Sequence, residues 1–188
     1  MQRKQCRRYN DPGHAHELTF SCYRRLPMLG RDRTRLWLIQ EIDQARLMTS
    51  FDLWAYVIMP EHAHVLLYPR KATYNVSKIL WRIKRPIGLR AIAYLRRRAP
   101  DWLRRHLTVQ RADGSVERFF WQPGGGHDRN AVELSTVRAM IDYIHLNPVR
   151  RGLVERPEDW EWSSARWYAG IRPVHLEIDP TLPRESDT

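Results

Sequence analysis

The chain has 188 residues, of which 43% are apolar and eight are tryptophan, so it is long and apolar enough for one substantial core and is not a disordered segment. Its net charge of +11 is unevenly spread: Arg70 to Arg111 holds thirteen Lys/Arg against one acid, Asp101, whereas Glu155 to the end holds eight acids against four arginines. The only cysteines, Cys6 and Cys22, do not sit in a paired metal or redox spacing, which argues against a disulfide scaffold. The basic N-terminus lacks a following apolar stretch, and no run approaches the roughly 20 apolar residues of a membrane span, so a soluble, cytoplasmic protein is expected.

Residues 1–13 read as a basic arm ending in the turn signal Asp11-Pro12-Gly13. Leu18 to Tyr23 reads as a first strand. Leu36, Ile39, Ile42 and Ala45 recur at helical spacing, predicting a helix from about Asp32 to Met48. Phe51 to Met59, rich in aromatic and β-branched residues, predicts a second strand. Pro60-Glu61 then turns tightly into a third, His62 to Tyr68.

Val76, Ile79, Leu80 and Ile83 mark another helix, which Pro86 is expected to kink or end before a second piece from Ile87 to Arg98. Leu107–Arg111 and Val116–Trp121 flank Asp113-Gly114, a hairpin signal. Gln122 to Gly126 reads as a flexible joint. A last helix runs from about Asn130 to His145 on the stripe Leu134, Val137, Ile141 and Ile144, and Asn147-Pro148 is expected to stop it. The order predicts an α+β, ferredoxin-like (RRM-like) antiparallel sheet with helices on one face, plus an extra C-terminal helix. Residues 14–150 form the expected domain, with 151–188 packing back on it as a C-terminal segment.

Four residues stand out chemically. His62 and His64 flank one alanine, and residues i and i+2 of a strand share a face, so the two imidazoles would sit side by side as a metal pair can. On the last helix, Tyr143 and Asn147 are one turn apart on one face. Tyr143 is either an amphipathic residue at the core edge or a nucleophile. Phenols, with an ordinary pKa of about 10, attack poorly unless a cation polarises the electrophile. Asn147 is either a helix terminator, an oxygen ligand beside the imidazoles, or both.

MPEHAHVLLY, followed by YIHLNPVRRGLV, resembles the HUH single-tyrosine transposases, in particular the REP-associated tyrosine transposases. The likeness runs from about Leu18 to Ala169 and includes FWQPGGGHDRN and LVERPEDWEWSSA. It implies that His62, His64 and Asn147 hold a divalent cation, Mg2+ or Mn2+, and that Tyr143 is the nucleophile. The implied substrate is single-stranded DNA near hairpin repeats, cleaved and rejoined through a 5′-phosphotyrosine intermediate by a monomer or homodimer. Glu61 departs from the family, standing where Asn or Asp is frequent, and the stretch Arg96 to Val116 is longer than in compact members. Two other readings are a small replication-initiator-like nicking enzyme and a catalytically silent nucleic-acid-binding module on the same sheet.

DNA contacts are expected from a patch of Arg82, Lys84, Arg85, Arg96, Arg97 and Arg98, and from Arg7, Arg8 and Tyr9 in the arm. His14-Ala15-His16 repeats the His-Ala-His pattern but should lie several residues along the sheet from His62 and His64. His145 is expected to be structural and Asp142 solvent-exposed, while His127 is open to either a DNA-contacting or a bystander role.

Overall fold

The computed structural model describes residues 9–124 and 126–183; Arg7 and Arg8 of the proposed arm lie outside them. The elements are β1 (Ala15–Ser21), α1 (Asp32–Thr49), β2 (Phe51–Ile58), β3 (His62–Pro69), α2 (Val76–Arg98), α3 (Pro100–Leu107), β4 (Thr108–Gln110), β5 (Val116–Arg118), β6 (His127–Ala131), α4 (Leu134–Arg150) and α5 (Ala165–Tyr168). Strands β2-β3-β1-β6 form one antiparallel sheet in that order, and β4-β5 form a separate hairpin. This is the ferredoxin-like order, in which the first strand lies between the third and the last.

Both faces of the sheet are buried, and strand alternation decides which side chain goes where. Leu18, Phe20, Tyr56, Ile58, Val65 and Leu67 point to one face, where Ile39 and Ile42 of α1 and Ile79, Ile83 and Ile87 of α2 cover them. Trp54, Val57 and Leu66 point to the other, beneath Val137, Met140, Ile141 and Ile144 of α4. Beyond α4 the chain returns along the outer edge of β2. There Ile58 N–H donates to Trp162 O (2.9 Å), Ser164 N–H to Tyr56 O (3.0 Å) and Asp179 N–H to Leu53 O (3.0 Å). A β2 edge that would otherwise be open is thereby paired.

Three local expectations need correction. The fourth strand of the sheet is His127–Ala131, which overlaps the expected start of the last helix at Asn130. Its sequence, HDRNA, is polar because it forms a sheet edge: His127 and Arg129 are exposed, and the buried Asp128 carboxylate is paired with His16. Consequently α4 begins at Leu134 rather than Asn130. Helix α2 continues unbroken through Pro86. Ile83 and Ile87, on either side of the proline, are both fully buried in the same core, and burying each contributes about 1.5–3 kcal/mol, enough to offset the roughly 3 kcal/mol an interior proline costs. Helix α4 likewise runs through Asn147-Pro148 to Arg150. This close to the helix end the proline's missing N–H costs only the Ile144 carbonyl its partner, and Arg151 N–H and Leu153 N–H close the end on Asn147 O and Pro148 O.

The glycine-rich joint is also less free than its composition suggests. Gly126 has φ +72°, and a Cβ there would lie 2.2 Å from Thr19 O. The chain passes so close to β1 that only glycine fits. Since the joint leads into β6 and not directly into α4, the short link Val132-Glu133 sets how α4 leaves the sheet.

Candidate active site

The antiparallel register puts His62 opposite Ser21 and His64 opposite Thr19. Their imidazoles share the α4 face, with ring centroids 5.0 Å apart, and both residues are buried. Each ring is held from one side by a carboxylate. His64 Nδ1 lies 3.1 Å from Glu17 Oε1 and 3.0 Å from Thr19 Oγ1; His62 Nδ1 lies 3.1 Å from Glu61 Oε1. An ionised carboxylate only accepts, so each ring donates through Nδ1 and turns Nε2 toward the site. This is the carboxylate–histidine arrangement that orients metal-binding imidazoles.

Helix α4 brings the other two residues. Asn147 is buried, and its side-chain amide meets His64 Nε2 at 3.3 Å, with Nδ2 as the nearer atom. Oδ1 reaches the same place by a half-turn of the amide, whose O and N differ only by that choice. One turn earlier, Tyr143 stands edge-on to His64 with centroids 5.6 Å apart, and 42% of it remains exposed. The Arg150 guanidinium lies 5.0 Å from the Tyr143 ring centroid. All four residues singled out in the sequence therefore meet in one patch, in a single chain.

Glu61 ties the patch together. Its buried carboxylate accepts from Arg151 Nη1 at 2.8 Å and Arg25 Nη2 at 3.2 Å as well as from His62. Burial works to raise its pKa, but the hydrogen bond from Arg151 and the neighbouring positive charges outweigh it and hold the carboxyl below its ordinary value. Arg151 caps α4, so this ion pair joins the end of the tyrosine helix to the turn before β3. Burial, then the neighbouring His64, lowers the His62 pKa to about 4 despite Glu61, leaving the ring neutral at pH 7. A neutral imidazole is the form that binds a cation.

Two imidazoles, each oriented by a carboxylate, and an amide oxygen fit a divalent cation. Among the described residues no group of three His, Cys, Asp or Glu is disposed to hold a metal; the polar side chain nearest His64 Nε2 is the Asn147 amide. Nitrogen and amide oxygen donors without thiolate do not choose among Mg2+, Mn2+ and softer ions.

The remaining candidates lie elsewhere. His16 pairs with Leu67 and so points to the opposite face from His64, where Nδ1 bonds Asp128 Oδ1 (3.0 Å) and Nε2 meets Tyr74 Oη (2.8 Å). His14 sits beside Asn130 at the far end of β1. His145 is buried with Nε2 2.8 Å from Ser164 Oγ, and burial lowers its pKa to about 4. Asp142 is exposed. His127 is exposed and pairs with Thr19, in the same row of the sheet as His64 but two strands away, across β1. Arg82, Lys84, Arg85, Arg96, Arg97 and Arg98 all belong to α2, which packs on the other face of the sheet from the imidazoles. The cation seen beside Tyr143 is instead Arg150, and Arg151 and Arg25 pair with Glu61. Sequence reasoning missed Glu17 and the role of Glu61. Glu17 was findable, because once β1 is laid antiparallel beside β3, strand parity puts Glu17 and Thr19 on the face of His64.

The sequence is 28% identical over 164 residues to a curated protein of Haemophilus influenzae named REP-associated tyrosine transposase, covering 80% of each chain. The chain is similar to the REP-associated tyrosine transposases. Its fold matches a solved REP-associated tyrosine transposase bound to a REP hairpin, with a TM-score of 0.66 and 21% identity over 97% of this chain and 98% of the other. No protein-family model matches the chain. Among the described residues, no helix is long and apolar enough to cross a membrane.

Proposed function

We propose that this protein is a metal-dependent endonuclease and strand transferase acting on single-stranded DNA beside hairpin repeats. The observation that carries the reading is the meeting of Tyr143 and Asn147, one turn apart on α4, with His64 on β3. A nucleophile, a ligand amide and a pair of carboxylate-oriented imidazoles have no common structural need to converge. They do have a common chemical one.

In the proposed reaction Tyr143 Oη attacks the scissile phosphorus in line. The phenol proton passes to water, the new O–P bond forms, and the bond to the 3′ oxygen breaks. That oxygen takes up a proton, leaving a 3′-hydroxyl and DNA joined through its 5′ phosphate to Tyr143. One phosphodiester replaces another, so a 3′-hydroxyl can reverse the step and join strands without a nucleotide cofactor. His62, His64 and Asn147 would hold Mg2+ or Mn2+, which when bound polarises a non-bridging phosphate oxygen. Glu17 and Glu61 keep the two Nε2 lone pairs directed at the site. Arg150 supplies a fixed positive charge beside the attacking ring, where charge on the phosphate oxygens grows. With Tyr143 beside its own chain's imidazoles, a monomer is sufficient for the first cleavage.

The test uses a labelled single strand carrying a hairpin, incubated with protein and Mg2+ or Mn2+ and run on a denaturing gel. A slow band that EDTA and His64→Ala each abolish is the expected result. DNA bound under native conditions with no such band under either metal would leave a binding module and overturn the nuclease.

A further inference from the structure

A groove of about 1040 Å³ lies between the outer face of α2 and the segment leading from β5 into the joint. It is not part of the site around Tyr143. Trp81 rises from its α2 wall 54% exposed, with the Arg85 guanidinium 5.1 Å from its ring centroid, and Phe119 lines the opposite side. Lys84, Arg85, Arg96 and Arg118 also line it, and no acidic residue does. Helix α2 itself has no Asp or Glu from Val76 to Arg98.

That combination selects an occupant. A second copy of the chain docking groove to groove would set cation against cation, and an uncharged helix would leave the rim charges unanswered. A strand of nucleic acid answers both features, presenting flat bases to Trp81 and Phe119 and phosphates to the rim. Paired bases have their faces covered by stacking, so only unpaired ones can use the aromatic walls. A groove of this volume stands at the top of the roughly 300–1,000 Å³ range of small-molecule sites and accommodates more than one nucleotide.

Its position relative to the imidazoles is also informative. At the Gly124 end, Trp121 bridges to Cys22 and Gln122 N–H donates to Ser21 O at 2.9 Å, while Ser21 pairs with His62 on its other side. The groove thus opens one strand away from the imidazole pair, at the same end of the sheet.

We propose that the groove between α2 and the segment Arg118–Gly124 binds an unpaired stretch of the DNA substrate, its bases stacked on Trp81 and Phe119, and leads the strand round the sheet edge toward Tyr143. The inference rests on the single-stranded DNA reading above. It explains why the sequence's strongest cationic run lies on the face away from the imidazoles.

The test is a binding titration in EDTA, where no cleavage intervenes, with two fluorescein-labelled hairpins: one blunt, the other carrying an unpaired flank of about six nucleotides. One stacked base is worth about 1–3 kcal/mol, or roughly 5- to 150-fold in affinity. Trp81→Ala should weaken the flanked hairpin by at least about fivefold and leave the blunt one within about twofold, and Trp81→Phe should restore most of the loss. Arg96→Gln with Arg118→Gln should make the salt dependence shallower by about 1.4 in log–log slope, the value for two cations on a single strand. Equal losses on both hairpins, or no loss on either, would overturn the assignment. So would a concentration-dependent dimer that Trp81→Ala dissociates, since that gives the groove to a second copy. If Trp81→Ala behaves as expected but no covalent adduct ever forms with metal, the groove stands and the nuclease falls.

Discussion

The ion pair between Glu61 and Arg151 is the joint on which the candidate site depends. Glu61's side chain is 8% exposed and Arg151's 50%, and they meet at 2.8 Å. A hydrogen bond to a charged group is worth about 1.5–3 kcal/mol when its partner is left buried. With Arg151 half in solvent and Arg25 still beside Glu61, Arg151→Ala should cost about 1–2 kcal/mol. For a domain of this size that is a fall in Tm of roughly 2–8 °C. The loss should be local as well as global, because Arg151 ends the helix that carries Tyr143 and Asn147. Hydrogen exchange in the last two turns of α4 should quicken, while that of β1 and β3 follows only the global change. Glu61→Gln removes the charge that orients His62 and should weaken Mn2+ binding, measured calorimetrically without DNA, by about 10- to 100-fold. In the double variant the two stability losses should be strongly non-additive. Additive losses, with unchanged exchange in α4 and unchanged Mn2+ affinity, would show that the pair neither docks the helix nor sets the imidazole.

Three further outcomes follow from the same geometry. Gly126→Ala should destabilise the fold by more than about 2 kcal/mol in urea denaturation, since a left-handed residue costs about 1–2 kcal/mol and the added Cβ meets Thr19 O at 2.2 Å. His145, with its pKa lowered to about 4 in the fold, takes up its proton more readily when unfolded. Its stabilising contribution is therefore full above pH 6.5 and shrinks as the pH falls toward 4, by up to about 3 kcal/mol; His145→Gln should flatten that part of the stability–pH curve. His16→Ala should lower stability by about 2 kcal/mol through its lost partners Asp128 and Tyr74 while leaving Mn2+ affinity unchanged, whereas His64→Ala should abolish Mn2+ binding.

The parts of the fold that could be read from sequence are those where burial imposes a period. Helix α1 and strands β2 and β3 begin and end within about two residues of expectation, because their apolar spacing is regular and their ends are marked. Strand β6 could not be read, since an edge strand of His, Asp, Arg and Asn leaves no alternation to find. The two interior prolines misled for a related reason: local chemistry forbids what tertiary burial of Ile83 and Ile87, or a nearby helix end, permits. At the candidate site, His62 and His64 were legible as a strand pair and Tyr143 and Asn147 as a helical pair, each from spacing alone. Their meeting, and the carboxylates of Glu17 and Glu61 behind them, required the strand register. The cationic run was conspicuous, but only the structure separates it from the imidazoles and aligns part of it along a groove.

In the proposed function Tyr143 bonds covalently to DNA. After incubation with a hairpin-bearing single strand and Mn2+, the protein can be digested with nuclease and trypsin and analysed by mass spectrometry. The peptide spanning residues 139–150 should carry the mass of a 5′-linked nucleotide, and it should be unmodified after treatment with EDTA or in His64→Ala. A nucleotide found on any other peptide, or an adduct that persists undiminished in Tyr143→Phe, would contradict the account.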